Sequence, residues 1–201
     1  MPKRYTPNDA WSQRAAKEGY RARSVYKLIE LNERERLLRP GMTVLDCGAA
    51  PGSWLQFTAQ QIGPKGLAIG IDRTPIEPIA DNVRTIEADI TDVDAVQSTL
   101  TTLEIDRVDL VLSDLAPNTS GVHDVDQWRS IELSQAVIAI AEQFLRPGGA
   151  CVIKVLRGED FDAFYRELKA TWKDVKTARV EATRDRSTEV YVILRGKIRA
   201  A

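Results

Sequence analysis

The hydrophobic and polar positions of this 201-residue chain follow two periods in turn. Runs of six or seven residues rich in apolar side chains predict buried strands at 43–48, 67–72, 83–89, 108–114 and 150–156. Segments with an apolar residue every three or four positions predict helices at 22–37, 53–62, 93–103, about 126–144 and about 160–172. Two further strands, near 175–181 and 188–194, are joined by a polar turn and predict a hairpin.

Strands that alternate with helices are typical of a parallel sheet with both faces covered. We therefore predict a doubly wound, Rossmann-like α/β fold with a mostly parallel seven-stranded sheet. Because the last two strands form a hairpin, one antiparallel strand is expected at the sheet edge. Residues 1–201 are expected to form one domain, in which a basic helical extension at 1–40 precedes a core at 41–195.

The composition is ordinary for a globular protein, with 43% hydrophobic and 28% charged residues. No apolar run approaches the roughly 20 residues that span a bilayer, and the first residues lack a secretory signal. A cytoplasmic protein without a membrane partner is expected. Cys47 and Cys151 lie in predicted buried strands, so we expect reduced core thiols and no metal site.

The net charge of −1 conceals an uneven distribution. Residues 1–40 carry ten Lys/Arg against five Asp/Glu, residues 41–153 six against sixteen, and residues 154–201 twelve against eight. If the two basic ends fold onto one face, they form a positive surface suited to a phosphate backbone. Solvated surface charge is the alternative interpretation. The candidate phosphate contacts are Lys17, Arg21, Arg23, Arg184 and Arg186.

A small-residue turn after the first strand predicts a ligand site, since Gly48 and Gly52 let a backbone approach a ligand closely. Asp72 ends the second strand, where it could accept both hydroxyls of a ribose, and Asp89 ends the third, where it could accept from an adenine amine. The loop lacks the G-x-G-x-x-G spacing of dinucleotide sites, and Pro51 removes a donor that a pyrophosphate would need. S-adenosylmethionine is thus favoured over a nicotinamide cofactor, and an ordinary strand-to-helix turn remains the alternative.

With such a cofactor, the residues after the fourth strand indicate which atom is methylated. The segment Asp114–Asn118 lacks the aromatic residue of enzymes that methylate base amines, and neither cysteine is placed for attack on a pyrimidine. His123 is expected in a polar surface loop. A hydroxyl oxygen is left as the acceptor. Lys154, a charge inside an apolar strand, could serve as its general base or as a cation that stabilises the forming alkoxide.

Five segments, SVYKL, DCGAAPGSW, SDLAPNTSG, VIKV and RSTEVY, occur in an order and at spacings that resemble the RrmJ/FtsJ (RlmE) family of ribosomal RNA ribose 2′-O-methyltransferases. The resemblance covers about residues 20 to 195. It implies a catalytic tetrad of Lys27, Asp114, Lys154 and Glu189, in which Lys154 is central.

The same resemblance implies that S-adenosylmethionine is bound by Gly52, Trp54, Asp72, Asp89 and Asp114. Ser53 departs from the family pattern, because it replaces a glycine before the tryptophan. The protein is expected to be a monomer. Its implied partner is ribosomal RNA or the large ribosomal subunit, and the implied target is a uridine ribose of the A-loop. A transfer RNA target, or a non-catalytic RNA-binding assembly factor, is the alternative.

Overall fold

The computed structural model describes residues 10–118, 120–182 and 188–198. The strands of this part of the chain are β1 Thr43–Cys47, β2 Leu67–Asp72, β3 Val83–Glu87, β4 Val108–Ser113, β5 Leu145–Leu156, β6 Trp172–Ala178 and β7 Glu189–Lys197. The helices are α1 Ala10–Lys17, α2 Val25–Glu35, α3 Ser53–Ile62, α4 Val93–Thr102, α5 His123–Phe144 and α6 Phe161–Thr171.

The strands form one seven-stranded sheet in the order β3-β2-β1-β4-β5-β7-β6. Strands β1 to β5 pair in parallel, and β7 pairs antiparallel with both β5 and β6. The predicted mostly parallel α/β fold is confirmed. Because β1 pairs with β2 on one side and β4 on the other, the strand order reverses at β1. Ligands of open α/β sheets bind at the carboxyl ends of the strands beside such a reversal.

The predicted edge position of the antiparallel strand is wrong, because β7 lies inside the sheet and β6 forms the edge. The burial of the two strands explains this order. Five consecutive residues of β7, Val190 to Leu194, are buried, whereas only Trp172 and Ala178 of β6 are buried. A continuous apolar strand belongs in the interior of a sheet, and a strand with exposed polar residues suits its edge.

Two further differences from the predictions concern helices. Helix α1 precedes the helix predicted at 22–37. His123, expected in a loop, begins α5. Asp126 in the first turn of that helix accepts hydrogen bonds from the N–H and the hydroxyl of Ser120, at 2.7 and 2.8 Å. Its negative charge also stabilises the N-terminus of the helix, where the helix dipole is positive.

The two faces of the sheet carry separate hydrophobic layers. One layer packs α4, α5 and α6 against the sheet, and the other packs α1, α2 and α3. Cys47 and Cys151 are buried and free, as predicted for core thiols. None of the described helices is both long and apolar enough to cross a membrane.

The N-terminal extension is anchored by aromatic packing. The rings of Trp11 in α1 and Tyr26 in α2 lie 5.0 Å apart, and the Arg14 guanidinium lies over the Tyr26 ring at 4.7 Å. Val25, Leu28 and Leu31 of α2 are fully buried. Helix α2 is therefore held with its first turn toward the carboxyl edge of the sheet, where Lys27 reaches residues that follow β4.

Candidate active site

A cleft of about 810 Å³ opens at the carboxyl ends of β1 to β4. This volume is within the range of roughly 300–1,000 Å³ found for small-molecule sites. Four of the predicted cofactor residues line it, namely Gly48, Asp72, Asp89 and Asp114. Parallel strands bring these positions together although they are spread over 67 positions of the sequence, from 48 to 114.

The two glycines of the loop after β1 have left-handed backbone conformations, with φ of +81° at Gly48 and +102° at Gly52. A Cβ at Gly48 would lie 2.2 Å from a methyl of Leu115, so this position has no space for a side chain. A Cβ at Gly52 would meet Ile79 at 2.8 Å and the Arg21 guanidinium at 3.1 Å. Gly52 thus faces the loop between β2 and β3, and it lines neither this cleft nor the smaller cavity beside it.

The two acids at the strand ends are already engaged with backbone N–H groups. Asp72 accepts from Ala50 at 3.0 Å and from Thr74 at 2.8 Å, so it also fixes the loop after β1. Asp89 accepts from the N–H and the hydroxyl of Thr91, and these bonds, helped by Arg73 at 3.7 Å, lower its pKa. Both carboxylates retain lone pairs for a ligand in the cleft.

Trp54 lies beside the main cleft and lines a smaller cavity of about 50 Å³ together with Asp46, Gly48 and Asp114. The indole is 3% exposed, and its N–H donates to the Ser24 carbonyl at 2.8 Å. Trp54 is therefore a core aromatic residue that also forms part of a cavity wall.

Asp46 is a site residue that the sequence did not reveal. It is 1% exposed, and its Oδ2 has no hydrogen-bond partner among the described residues. Burial raises its pKa well above the usual value, and the charges of Asp114 and Asp72 add to that effect. A cationic group in the adjoining cavity would satisfy this carboxylate. The available signal was an acid inside the apolar strand TVLDC.

The structure brings the four predicted catalytic residues into one cluster. Lys27 Nζ lies 3.0 Å from Glu189 Oε2 and 3.5 Å from Asp114 Oδ1. Lys154 Nζ lies 3.1 Å from Asp114 Oδ1, 3.7 Å from Glu189 Oε1 and 2.6 Å from the Asp114 carbonyl. The two carboxylates balance the two lysines, which explains how the cluster is tolerated in a largely buried place.

Tyr191 is a fifth member of the cluster. Its hydroxyl donates to Asp114 Oδ1 at 2.6 Å, and Lys27 Nζ lies 5.9 Å from its ring centroid. Burial raises the pKa of Tyr191 well above its usual value, and Asp114 raises it further, so the hydroxyl remains a donor. Burial would also raise the pKa of Asp114, but Lys154, Lys27 and the Tyr191 hydroxyl together lower it. Asp114 is therefore a stable anion.

The predicted phosphate contacts have different environments. Lys17 is exposed at the end of α1, and Arg23 is partly buried just before α2. Arg21 is partly exposed, and its guanidinium donates to the carbonyls of Pro51, Glu77 and Pro78. The predicted contacts Arg184 and Arg186 lie outside the described residues.

Comparison with known proteins shows the family of this chain. Residues 20–197 match the family model described as FtsJ-like methyltransferase. Proteins named Ribosomal RNA large subunit methyltransferase E are 43% identical in Chromohalobacter salexigens and 46% identical in Azoarcus sp., covering 94% and 92% of this chain and 90% of each relative.

Solved structures show the same fold. A Plasmodium falciparum chain described as a ribosomal RNA methyltransferase superposes with a TM-score of 0.79 at 28% identity, covering 89% of this chain and 98% of that one. A Clostridium thermocellum chain described as an rRNA-methylase gives a TM-score of 0.56 at 18% identity, covering 86% and 97%. The family match spans most of the sequence and includes all four clustered residues; the chain belongs to the FtsJ-like methyltransferase family.

Proposed function

We propose that this protein transfers the methyl group of S-adenosylmethionine to the 2′-hydroxyl of a ribose in large-subunit ribosomal RNA. The observation that carries the proposal is the cluster of Lys27, Asp114, Lys154 and Glu189 beside the cleft. Transfer to a hydroxyl needs a group that removes its proton, and this cluster supplies two amines held by two carboxylates within 3.0–3.7 Å.

The residues around the cleft fit S-adenosylmethionine. Its amino acid part carries an ammonium group, which suits the unpaired Oδ2 of Asp46 at the smaller cavity. Its ribose hydroxyls suit Asp72, and its adenine amine suits Asp89, both on the wall of the larger cleft. The absence of a pyrophosphate agrees with a loop in which Pro51 offers no N–H.

When bound, S-adenosylmethionine supplies an electrophilic methyl carbon on a positively charged sulfur. In the proposed mechanism Lys154 Nζ would accept the proton of the ribose 2′-hydroxyl, whose oxygen would take the methyl group, with the cofactor's thioether as the leaving group. Lys27 and Lys154 are held by the carboxylates of Asp114 and Glu189, and the Tyr191 bond holds Asp114 in place.

The proposed RNA target is taken from the relatives, whose names describe them as methyltransferases of large-subunit ribosomal RNA. Within that RNA we propose a uridine of the A-loop, the target implied by the sequence resemblance. The enzyme would then act on ribosomal RNA or on the large subunit in the cytoplasm.

Nucleoside mass spectrometry tests reaction and target together. Ribosomal particles from cells that lack the protein are treated with purified enzyme and S-adenosylmethionine, and their RNA is digested and analysed. We expect one 2′-O-methyluridine to be restored in the large-subunit RNA. A methyl group on transfer RNA instead would keep the chemistry and overturn the target, and transfer to no RNA would overturn the enzymatic proposal.

A further inference from the structure

Arg21 makes an unusual set of contacts for a residue in a basic terminal segment. Its Nη1 donates to the Pro51 carbonyl at 3.1 Å and to the Glu77 carbonyl at 2.9 Å, and its Nη2 donates to the Pro78 carbonyl at 2.8 Å. The first carbonyl belongs to the loop after β1, and the other two belong to the segment between β2 and β3. One guanidinium thus joins two loops that flank the cofactor cleft.

The backbone around Arg21 is fixed to the start of α3. Its N–H donates to Gln56 Oε1 at 2.9 Å, and Gln56 Nε2 donates back to the Gly19 carbonyl at 3.0 Å. Three residues further along the chain, the Ser24 carbonyl accepts from the indole of Trp54. The segment that carries Arg21 is therefore attached to two residues, Trp54 and Gln56, in the first turn of α3.

Helix α2 connects these contacts to the catalytic cluster. It starts at Val25 and carries Lys27, which lies 3.0 Å from Glu189. The Ser24 hydroxyl, just before the helix, lies 3.0 Å from the hydroxyl of Ser53 in α3. A shift of the loop after β1 would therefore also move Lys27. Ser24 is hydrogen-bonded to Ser53 and Trp54 of α3, and the Lys27 N–H donates to the Ser24 carbonyl.

We propose that Arg21 is a positioning residue, which sets the geometry of the cofactor loop and of Lys27 from one point, and that it does not bind RNA phosphate. The proposal rests on the proposed function for the identity of the cofactor. Among the cationic side chains, only arginine can bind these three carbonyls at once, because a planar guanidinium offers five N–H donors in a fixed fork. A lysine would offer a single ammonium on a flexible stem.

The same contact explains why Gly52 is needed although it lines no cavity. A Cβ at Gly52 would lie 3.1 Å from Nη1 of Arg21 and 2.8 Å from Ile79. The guanidinium and Ile79 fill the space in which a side chain at position 52 would have to lie. Gly52→Ala is therefore expected to disturb the Arg21 contacts without touching either cavity.

Variants that separate charge from shape test the proposal. We compare Arg21→Lys, which keeps the charge, with Arg21→Met, which removes it, and with Arg34→Lys as a matched control. Arg34 lies in the last turn of α2, where it donates to the Arg179 carbonyl at 2.7 Å, far along the helix from the cofactor loop. Titration calorimetry gives the S-adenosylmethionine Kd, filter binding gives the RNA Kd, and thermal melts confirm folding.

Both Arg21 variants are expected to raise the S-adenosylmethionine Kd about tenfold, since at least one charge-assisted hydrogen bond is lost in each. The RNA Kd and its salt dependence should stay within about twofold of wild type for Arg21→Lys, and Arg34→Lys should leave both constants unchanged. Gly52→Ala should weaken cofactor binding in the same way, and it serves as the second variant if Arg21→Met is unstable.

A different pattern would overturn the positioning role. If Arg21→Lys binds S-adenosylmethionine as wild type does, while Arg21→Met loses RNA affinity and flattens its salt dependence, Arg21 is a phosphate contact. If wild-type protein itself binds no S-adenosylmethionine, the proposed function fails first, and that result is distinct from a change confined to the variants.

Discussion

Lys154 is a charged side chain in the middle of a buried strand, and its surroundings explain its presence. It is 6% exposed, and three acceptor oxygens lie within 3.7 Å of Nζ. Burial of an isolated ammonium would be costly, so the carboxylates of Asp114 and Glu189 are what make this position possible. Removing Lys154 alone leaves two largely buried carboxylates with one lysine and is expected to cost stability, so a structural and a catalytic role are separated by measuring folding and turnover together.

Lys154→Met tests that distinction. In the proposed mechanism, loss of the general base lowers kcat by about 10²–10⁴-fold. The S-adenosylmethionine Kd is expected to change far less, because Lys154 pairs with Asp114 and Glu189, whereas Asp46, Asp72 and Asp89 are the acids proposed to hold the cofactor. Single-turnover methyl transfer and calorimetry measure the two quantities. Lys176→Met, at an exposed lysine of β6, is the matched control. Near-normal turnover in Lys154→Met would remove this residue from the mechanism.

Asp46 combines a cost in stability with a role in binding. Its raised pKa means that ionisation destabilises the folded state, and this penalty grows as pH rises above the usual carboxyl range. In ligand-free protein, Asp46→Asn removes the penalty. In the presence of S-adenosylmethionine, the same change removes the carboxylate proposed to pair with the ammonium group.

We therefore expect Asp46→Asn to raise the Tm of the ligand-free protein by about 2–4 °C, as for a gain of about 1 kcal/mol, and to raise the S-adenosylmethionine Kd about tenfold. The gain in Tm should be larger at pH 8 than at pH 5, since Asp46 is more often protonated in the acidic buffer. Melts at both pH values and calorimetry measure these effects. A lower Tm with unchanged affinity would show that Asp46 serves only the fold.

At the scale of elements, the pattern of apolar positions predicts most strands and helices, because the parallel strands β1, β2, β4 and β5 contain continuous buried runs. The pattern does not predict the order of β6 and β7, because both strands follow α6 and only their relative burial decides which one lies inside the sheet. The pattern does not predict helix α1 either, because Trp11 is the single large apolar residue of AWSQRAAK and the helix is held by the packing of this ring on Tyr26.

The candidate site could be predicted in part for a physical reason. Acids and glycines at the carboxyl ends of parallel strands meet at one edge, so Gly48, Asp72 and Asp89 follow from the strand pattern. Tyr191 and Arg21 do not follow from it. Tyr191 bonds Asp114, 77 positions away, and Arg21 bonds the Glu77 carbonyl, 56 positions away. Such partners depend on side-chain directions that periodicity does not contain.

Gly70 in β2 sets how closely α3 approaches the sheet. A Cβ at this position would lie 2.4 Å from Leu55 in α3 and 3.0 Å from the Cβ of Ala49 in the cofactor loop. Leu55 is fully buried and has no room to retreat. The absence of a side chain in the strand thus lets the helix and the loop pack directly on β2.

Gly70→Ala is expected to destabilise the protein by about 1–3 kcal/mol through overpacking, and to weaken cofactor binding because Ala49 is displaced. Urea unfolding measures the first effect and calorimetry the second. The double variant Gly70→Ala/Leu55→Ala should lose less stability than the sum of the single changes, since the smaller side chain makes room. Strict additivity would show that the two residues do not compete for space.

At the scale of the molecule, the two basic ends of the chain meet. Lys27 of α2 pairs with Glu189 at the start of β7, and Arg34 donates to the Arg179 carbonyl near the end of β6. Arg195 of β7 in turn pairs with Glu35 at 3.0 Å. The fold therefore brings the N-terminal and C-terminal basic segments side by side, as a continuous positive surface requires, while the acidic middle of the chain lines the cleft at the carboxyl ends of β1 to β4.

This arrangement predicts how RNA binding responds to salt. Lys17 and Arg23 precede Lys27, a proposed catalytic residue, on the same segment, and each is proposed to contact a phosphate. Lys17→Gln and Arg23→Gln should each weaken RNA binding at every sequence tested and lower the slope of log K against log salt by about 1. The S-adenosylmethionine Kd should stay unchanged. Lys65→Gln, an exposed lysine between α3 and β2 at the opposite edge of the sheet, is the control. Equal slopes for all three variants would place the RNA on another face.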